Sequence, residues 1–158
     1  MSQVLDRKLL TDLVLATLAP GTYPIGDAGP PDLPVDPALR HAGWNGQPNA
    51  PGSFYVPYAI LTPGSISNTS GPLSDPQGDA QVPYTLAYYG VNRGQVELLG
   101  GKLRTLLLGL RDQRFISADH NHKIQQVWFS VIGGVGRVEA TDPPTFGAID
   151  TLTIWVTK

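Results

Sequence analysis

The apolar positions of this chain change their spacing several times, and each change marks an element. Ser2–Ala19 reads as a helix, with good helix formers, no internal glycine or proline, a candidate N-cap at Ser2 and a stop at Pro20-Gly21. Its apolar residues (Val4 and Leu15 on one side, Leu5, Leu9, Leu13 and Ala16 on another) surround most of the helical wheel. Such a helix is buried on more than one side. In a small domain the second side points to another subunit.

From Ser53 the period becomes two. Phe54, Val56, Tyr58 and Ile60 alternate with Tyr55, Pro57, Ala59 and Leu61, and Pro57 inside the run suggests an edge or bulged strand. Ala80–Tyr89 is the next strand, with Val82, Tyr84, Leu86 and Tyr88 on one face. Val91–Arg111 returns to helical spacing. Asn92 caps it with Gln95 three residues on, and Val96, Leu99, Leu103, Leu106, Leu107 and Leu110 form one stripe for packing on a sheet. Gly100, Gly101 and Gly109 disfavour a helix, so a close backbone approach is their expected reason. Leu98 and Leu108 lie off the stripe.

Arg111–Lys123 reads as a polar connection. Ile124–Ile132 then places Val127, Phe129 and Val131 inward and Gln126, Trp128 and Ser130 outward. Gly133–Gly136 reads as a hairpin tip using positive φ. Arg137–Thr141 is a short strand, and Asp142–Thr145 a turn. Ile149–Thr157 puts Leu152, Ile154 and Val156 on one face and Thr151, Thr153, Trp155 and Thr157 on the other. The expected fold is α+β: an antiparallel sheet of about four to five strands with two helices packed on it.

Two stretches lack any period. Pro20–Gly52 holds eight prolines and six glycines, with Tyr23 and Trp44 among them, and reads as an extended Pro/Gly-rich arm. Gly64–Asp79 reads as a second long loop. The whole chain, 1–158, is expected to form one domain, long enough to bury about 70% of its unfolded surface.

Composition narrows the function. Cysteine is absent, which excludes disulfides, thiolate metal sites and cysteine nucleophiles. Charged residues are 15%, against roughly 25% in an ordinary soluble domain, so little charge keeps copies apart. The net charge is −2, but residues 1–79 carry 3 basic and 7 acidic groups while residues 80–158 carry 8 and 6. An ordinary solvated helix face explains this first; complementarity between copies comes second, and a nucleic-acid surface third, since no aromatic–basic interleaving accompanies the charge. Asp6, Arg7, Lys8 and Asp12 break any signal-peptide core, and no apolar run approaches the roughly 18 residues of a membrane span. The expected location is a cytosol-like space until assembly.

Candidate chemistry is thin. Asp119, His120 and His122 form the best metal-like cluster, and a small metal-dependent hydrolase is the enzymatic alternative they allow. No third distant ligand is identifiable, and a solvated polar turn is the simpler account. Gly133–Gly136 lacks the Lys-Ser/Thr and the helix of a phosphate loop. No serine lies in a Gly-x-Ser-x-Gly elbow, and the chain has two glutamates, Glu97 and Glu139. The expectation is therefore no catalytic residue, no metal and no cofactor. What remains is an assembly signature: low charge, a proline-rich arm, and large apolar residues placed outward. Leu98, Leu108, Trp44, Trp128 and Trp155 are the candidate interface residues.

The N-terminal helix Val4–Leu18, the strand around Tyr55–Pro63, the strand-to-helix passage Val82–Leu110 and the alternating Ile124–Val156 region together resemble the tail terminator (tail completion) proteins of long-tailed bacteriophages. The likeness is one of element order across most of the chain, not of a diagnostic motif. It implies a hexameric ring that caps the tail tube, ends elongation and meets neck or head-completion proteins. It also implies that DNA passes through the opening without sequence-specific binding, and that the protein resides in the virion tail or neck after assembly in the host cytoplasm. A head-closure or head–tail connector of the same particle is the nearest alternative.

Overall fold

A computed structural model describes residues 5, 7–19, 24–29, 31, 57–65, 67–68, 79–90, 92–117, 120–138 and 145–157. The elements are α1 (Arg7–Leu18), β1 (Ile25–Asp27), β2 (Tyr58–Pro63), β3 (Ser67–Asn68), β4 (Asp79–Gly90), α2 (Arg93–Leu108), β5 (Arg114–Ser117), β6 (His120–Val131), β7 (Gly136–Val138) and β8 (Thr145–Thr157). The fold is α+β. The sheet is larger than the four to five strands expected: the described strands form one eight-stranded sheet in the order β1-β2-β4-β8-β6-β5, with β3 on β4 and β7 on β8. Nor is it purely antiparallel, because β1 runs parallel to β2.

The strands that sequence reasoning missed are short. Ile25–Asp27 lies inside the expected arm, Ser67–Asn68 inside the expected second loop, and Arg114–Ser117 inside the expected polar connection. Two to four residues carry too little alternation to register as a period. The rest of the arm and of the second loop, the strand assigned to Phe54–Val56, the Ser2 cap and the Asp142–Pro144 turn lie outside the described residues.

The centre is the antiparallel ladder between β4 and β8, paired from Asp79↔Thr157 to Gly90↔Phe146. Along β4 burial alternates at every residue. Ala80, Val82, Tyr84, Leu86 and Tyr88 face inward beside Ala148, Leu152, Ile154 and Val156 of β8. Ala59 and Leu61 of β2 extend this face. Pro83 sits inside a central strand, where its missing N–H would normally break a ladder. Its carbonyl accepts from Gly64 N at 2.8 Å, on the side where β2 has ended at Pro63 and β3 has not yet begun. The absent donor therefore falls in a gap between partners.

Helix α2 forms as its pattern predicts. Asn92 Oδ1 accepts from Gln95 N at 2.9 Å, and Val96, Leu99, Leu103 and Leu107 are buried against the sheet. Gly109 closes the helix. Gly100 allows the close approach: a Cβ there would lie 2.7 Å from the Tyr88 ring. Gly101 faces open space. Helix α1 is shorter than expected. Leu5 is buried but lies before the helix, and the fully buried residues, Leu10, Val14 and Leu18, make one stripe with Thr11. Leu9 is 38% exposed, while Leu13 and Leu15 are partly buried. Helix α1 touches both β1 and β5, strands from opposite ends of the sheet, so the sheet curls around it.

Two register shifts interrupt β6, one between Ile124 and Gln126 and one between Phe129 and Val131. The second turns Val131 outward to 53% exposure, where alternation continued from Val127 and Phe129 put it inside. Strands β6 and β7 run the same way along β8, opposite Thr157–Thr151 and then Gly147–Thr145. Ile132–Val135 is thus a bulged break in one long strand, not a hairpin tip. Gly133 is required by proximity, because a Cβ would meet the Ile149 carbonyl oxygen at 2.2 Å.

Replacing Gly100 by Ala is expected to destabilise the fold by about 1–3 kcal/mol, since overpacking against Tyr88 outweighs the gain in helix propensity. The Gly101→Ala change is expected to stabilise by up to about 1 kcal/mol. Urea unfolding of the two variants checks both signs.

Candidate functional site

The two faces of the sheet differ in kind. The inner face is covered by the helices. On the outer face, from Gln81 to Tyr89 of β4 and from Gly147 to Trp155 of β8, every residue is uncharged. Tyr58 and Tyr89 stack there with ring centroids 5.1 Å apart. Trp128 is 61% exposed, Trp155 38% and Ile149 52%. Uncharged surface carrying large exposed apolar side chains is the kind of surface that marks interaction sites.

Two depressions lie on this face. The first is a cleft lined by Gln81, Gln126, Trp128, Thr153 and Trp155. The second is a groove of about 430 Å³ beside the bulged break, lined by Tyr89, Arg137, Ile149 and the glycines 133, 134, 136 and 147. Exposed Val131 and Ile132 belong to the same end of the sheet.

Beneath that groove is the feature that sequence reasoning missed. Asp150 stands on the inner face, two positions before Leu152, and its side chain is fully buried. A buried carboxylate is tolerated only when paired and hydrogen-bonded. Arg104 Nη1 of α2 donates to Oδ2 at 2.8 Å, while Tyr88 Oη of β4 and Gly133 N each donate to Oδ1 at 2.9 Å. Arg104 also donates to Tyr88 Oη at 3.1 Å. One carboxylate thus ties the helix, the central ladder and the bulged break together. The signal was available: carrying the alternation of Leu152, Ile154 and Val156 back by one step puts a charge at an inward position.

Burial holds the Tyr88 phenol above the ordinary tyrosine range, and the bond to Asp150 adds to this. Burial also raises Tyr84, although Thr11 Oγ1, 3.0 Å from its hydroxyl, works the other way. For Arg104, partial burial favours the neutral form. The bonds to Asp150 and Tyr88 outweigh it, and its pKa rises.

The expected interface residues separate into two groups. Leu98 and Leu108 lie on α2 at 55% and 53% exposure, on the helix side of the sheet. Trp128 and Trp155 lie on the outer face and line one cleft. Trp44 lies outside the described residues. His122 does not sit in a solvated turn. It belongs to β6, is buried, and stacks on Phe115 with centroids 5.3 Å apart. Asp119 and the His120 side chain lie outside what is described. Among the described residues no three His, Asp or Glu side chains gather as a metal site, and no helix is long and apolar enough to cross a membrane.

Replacing Arg104 by Ala should leave Asp150 buried without its cation and cost about 3 kcal/mol; a paired Arg104→Met/Asp150→Leu change should recover much of that in thermal unfolding. The two raised phenols predict an alkaline limit. Their stabilisation is intact below the ordinary value of 10.0 and is lost as pH rises through their higher folded values. Urea midpoints measured from pH 8 upward should fall beyond pH 10, and fall less steeply in Tyr84→Phe.

No known family pattern matches the chain, and no curated protein matches it. Among solved structures the chain is similar to one described as the virion of a native gene transfer agent particle. The identity is 19%, the TM-score is 0.54, and the match covers 96% of this chain and 90% of the other. That likeness shows a shared fold across nearly the whole of both chains.

Proposed function

We propose that this protein is a structural component of a phage-like virion, and that it forms a ring closing the tail tube and meeting the neck of the head. The observation that carries the proposal is the fold shared, over 96% of the chain, with a chain of a gene transfer agent virion. The surfaces support it. Large apolar residues stand exposed both on α2 and on the opposite face of the sheet, so the molecule offers two distinct contact surfaces. A ring needs such an arrangement, because each copy must give one surface and receive another through a contact that closes by rotation.

The mechanism is interface matching. The two helices pack on the inner face of the curled sheet, and the Asp150 network ties α2 to the strands beneath the outer face. The outer face presents uncharged area to be covered. Exposed Leu98 and Leu108 face the other way. A hexamer would surround an opening through which DNA passes without base contacts.

Purified protein mixed with tail tubes and viewed by negative stain should appear as an annulus at the tube end. Binding at the portal side instead would assign it to the head-closure connectors. A stable dimer by light scattering under all conditions, with no tube binding, would overturn the ring.

A further inference from the structure

The cleft between the two tryptophans has a specific chemistry. Trp128 of β6 pairs with Thr153, and Gln126 pairs with Trp155 of β8, so the two indoles are diagonal neighbours on one face. Such positions are ~7–8 Å apart. Gln81, Gln126 and Thr153 bring amides and a hydroxyl to the space between them, and among the described residues no charged one lines it. Aromatic ridges interleaved with neutral donors suit a polyproline II strand, which presents pyrrolidine rings and carbonyls without internal hydrogen bonds. One Pro-x-x-Pro turn spans ~9 Å, comparable to that separation of the two strand positions.

The chain carries a matching sequence: Pro30-Pro31-Asp32-Leu33-Pro34-Val35-Asp36-Pro37 contains two overlapping Pro-x-x-Pro units. We propose that the Trp128/Trp155 cleft is a proline-reading groove that receives the Pro31–Pro37 segment of a second copy of this chain. The proposal rests on the self-assembling role inferred above and names a contact that carries it.

Geometry excludes a copy's own cleft for the first unit. The chain folds back after β1, where Ala28 has φ 55°, and a Cβ on Gly26 would lie 2.9 Å from Pro31 N. At Pro31 the backbone is therefore still against β1. Strand β1 is three strands from β8, and register sets Asp27 level with Asp150, five residues short of Trp155. With strands ~4.8 Å apart and ~3.4 Å of rise per residue, Trp155 lies ~22 Å from β1 across the outer face. Pro34, three residues beyond Pro31, reaches at most ~11 Å. A neighbour's cleft has no such limit, and a contact from the segment of one copy to the cleft of the next is head-to-tail, as ring closure requires.

Two full-length variants test this. Trp128→Ala/Trp155→Ala removes the cleft, and Pro31→Ala/Pro34→Ala/Pro37→Ala removes the ligand. In sedimentation velocity each alone should associate at least tenfold more weakly than the parent chain. An equimolar mixture should form dimers and nothing larger, because only one productive contact remains per pair. A synthetic peptide of residues 28–40, added to the triple proline variant, should shift tryptophan emission and saturate. It should give no response with the cleft variant, or when its own three prolines are alanine. Absence of that saturable shift would overturn the groove, as would parent-like association of both variants. An emission change between parent and proline variant with no change in mass would assign the contact to a single copy and equally overturn the proposal. Tube-end binding of the parent chain is scored separately, so failure of the cleft and failure of the virion role are told apart.

Discussion

The twelve-pair ladder between β4 and β8 is the constraint from which the rest of the molecule follows. Its register assigns every other residue to a face, and a slip of one position would put Val82, Tyr84 and Leu86 into water and Thr85 and Ala87 into the core. The helices bind to the face so defined, β2 and β6 extend it on either side, and the uncharged face is what remains. Even the proline in β4 obeys the ladder, since its missing donor falls where its neighbour strand changes from β2 to β3.

Asp150 is the exception that the register creates. It occupies an inward position in a long strand and is tolerated because three donors, from α2, β4 and the bulged break, converge on it. Replacing a paired buried charge by an apolar residue of similar volume is often neutral or stabilising, so what Asp150 provides is a common tether for three elements. Here that tether sets Gly133 against Ile149 and shapes the floor of the groove beside Arg137. The break between β6 and β7 is thus part of the fold's design rather than a loose turn.

The outer face explains the composition. A chain with 15% charged residues has little with which to solvate a broad sheet, and its few cations are drawn partly into pairs: Arg104 with Asp150, and Lys123 with Asp112. The outer side of β4 and β8 that is left over is uncharged and carries Tyr89 and Trp155. Uncharged surface with large exposed apolar side chains suits the assembly role proposed above.

Sequence alone determined the long elements. Helix α2 with its Asn92 cap, strand β4 with its buried alternation, and the inward and outward sets of β8 beyond Asp150 were legible because a period repeated over several turns or pairs is a local property. It also placed Trp128 and Trp155 outward, and Leu98 and Leu108 off the packed stripe. Tertiary structure decided what has no period. Strands of two to four residues exist only because a longer neighbour offers its edge. The bulge in β6 that exposes Val131 is set by register against β8. His122 is buried because β5 folds back to place Phe115 beside it. Asp150 became the anchor of three elements, and two tryptophans separated by 26 residues became one cleft, because pairing between strands brings together positions whose separation along the chain carries no signal.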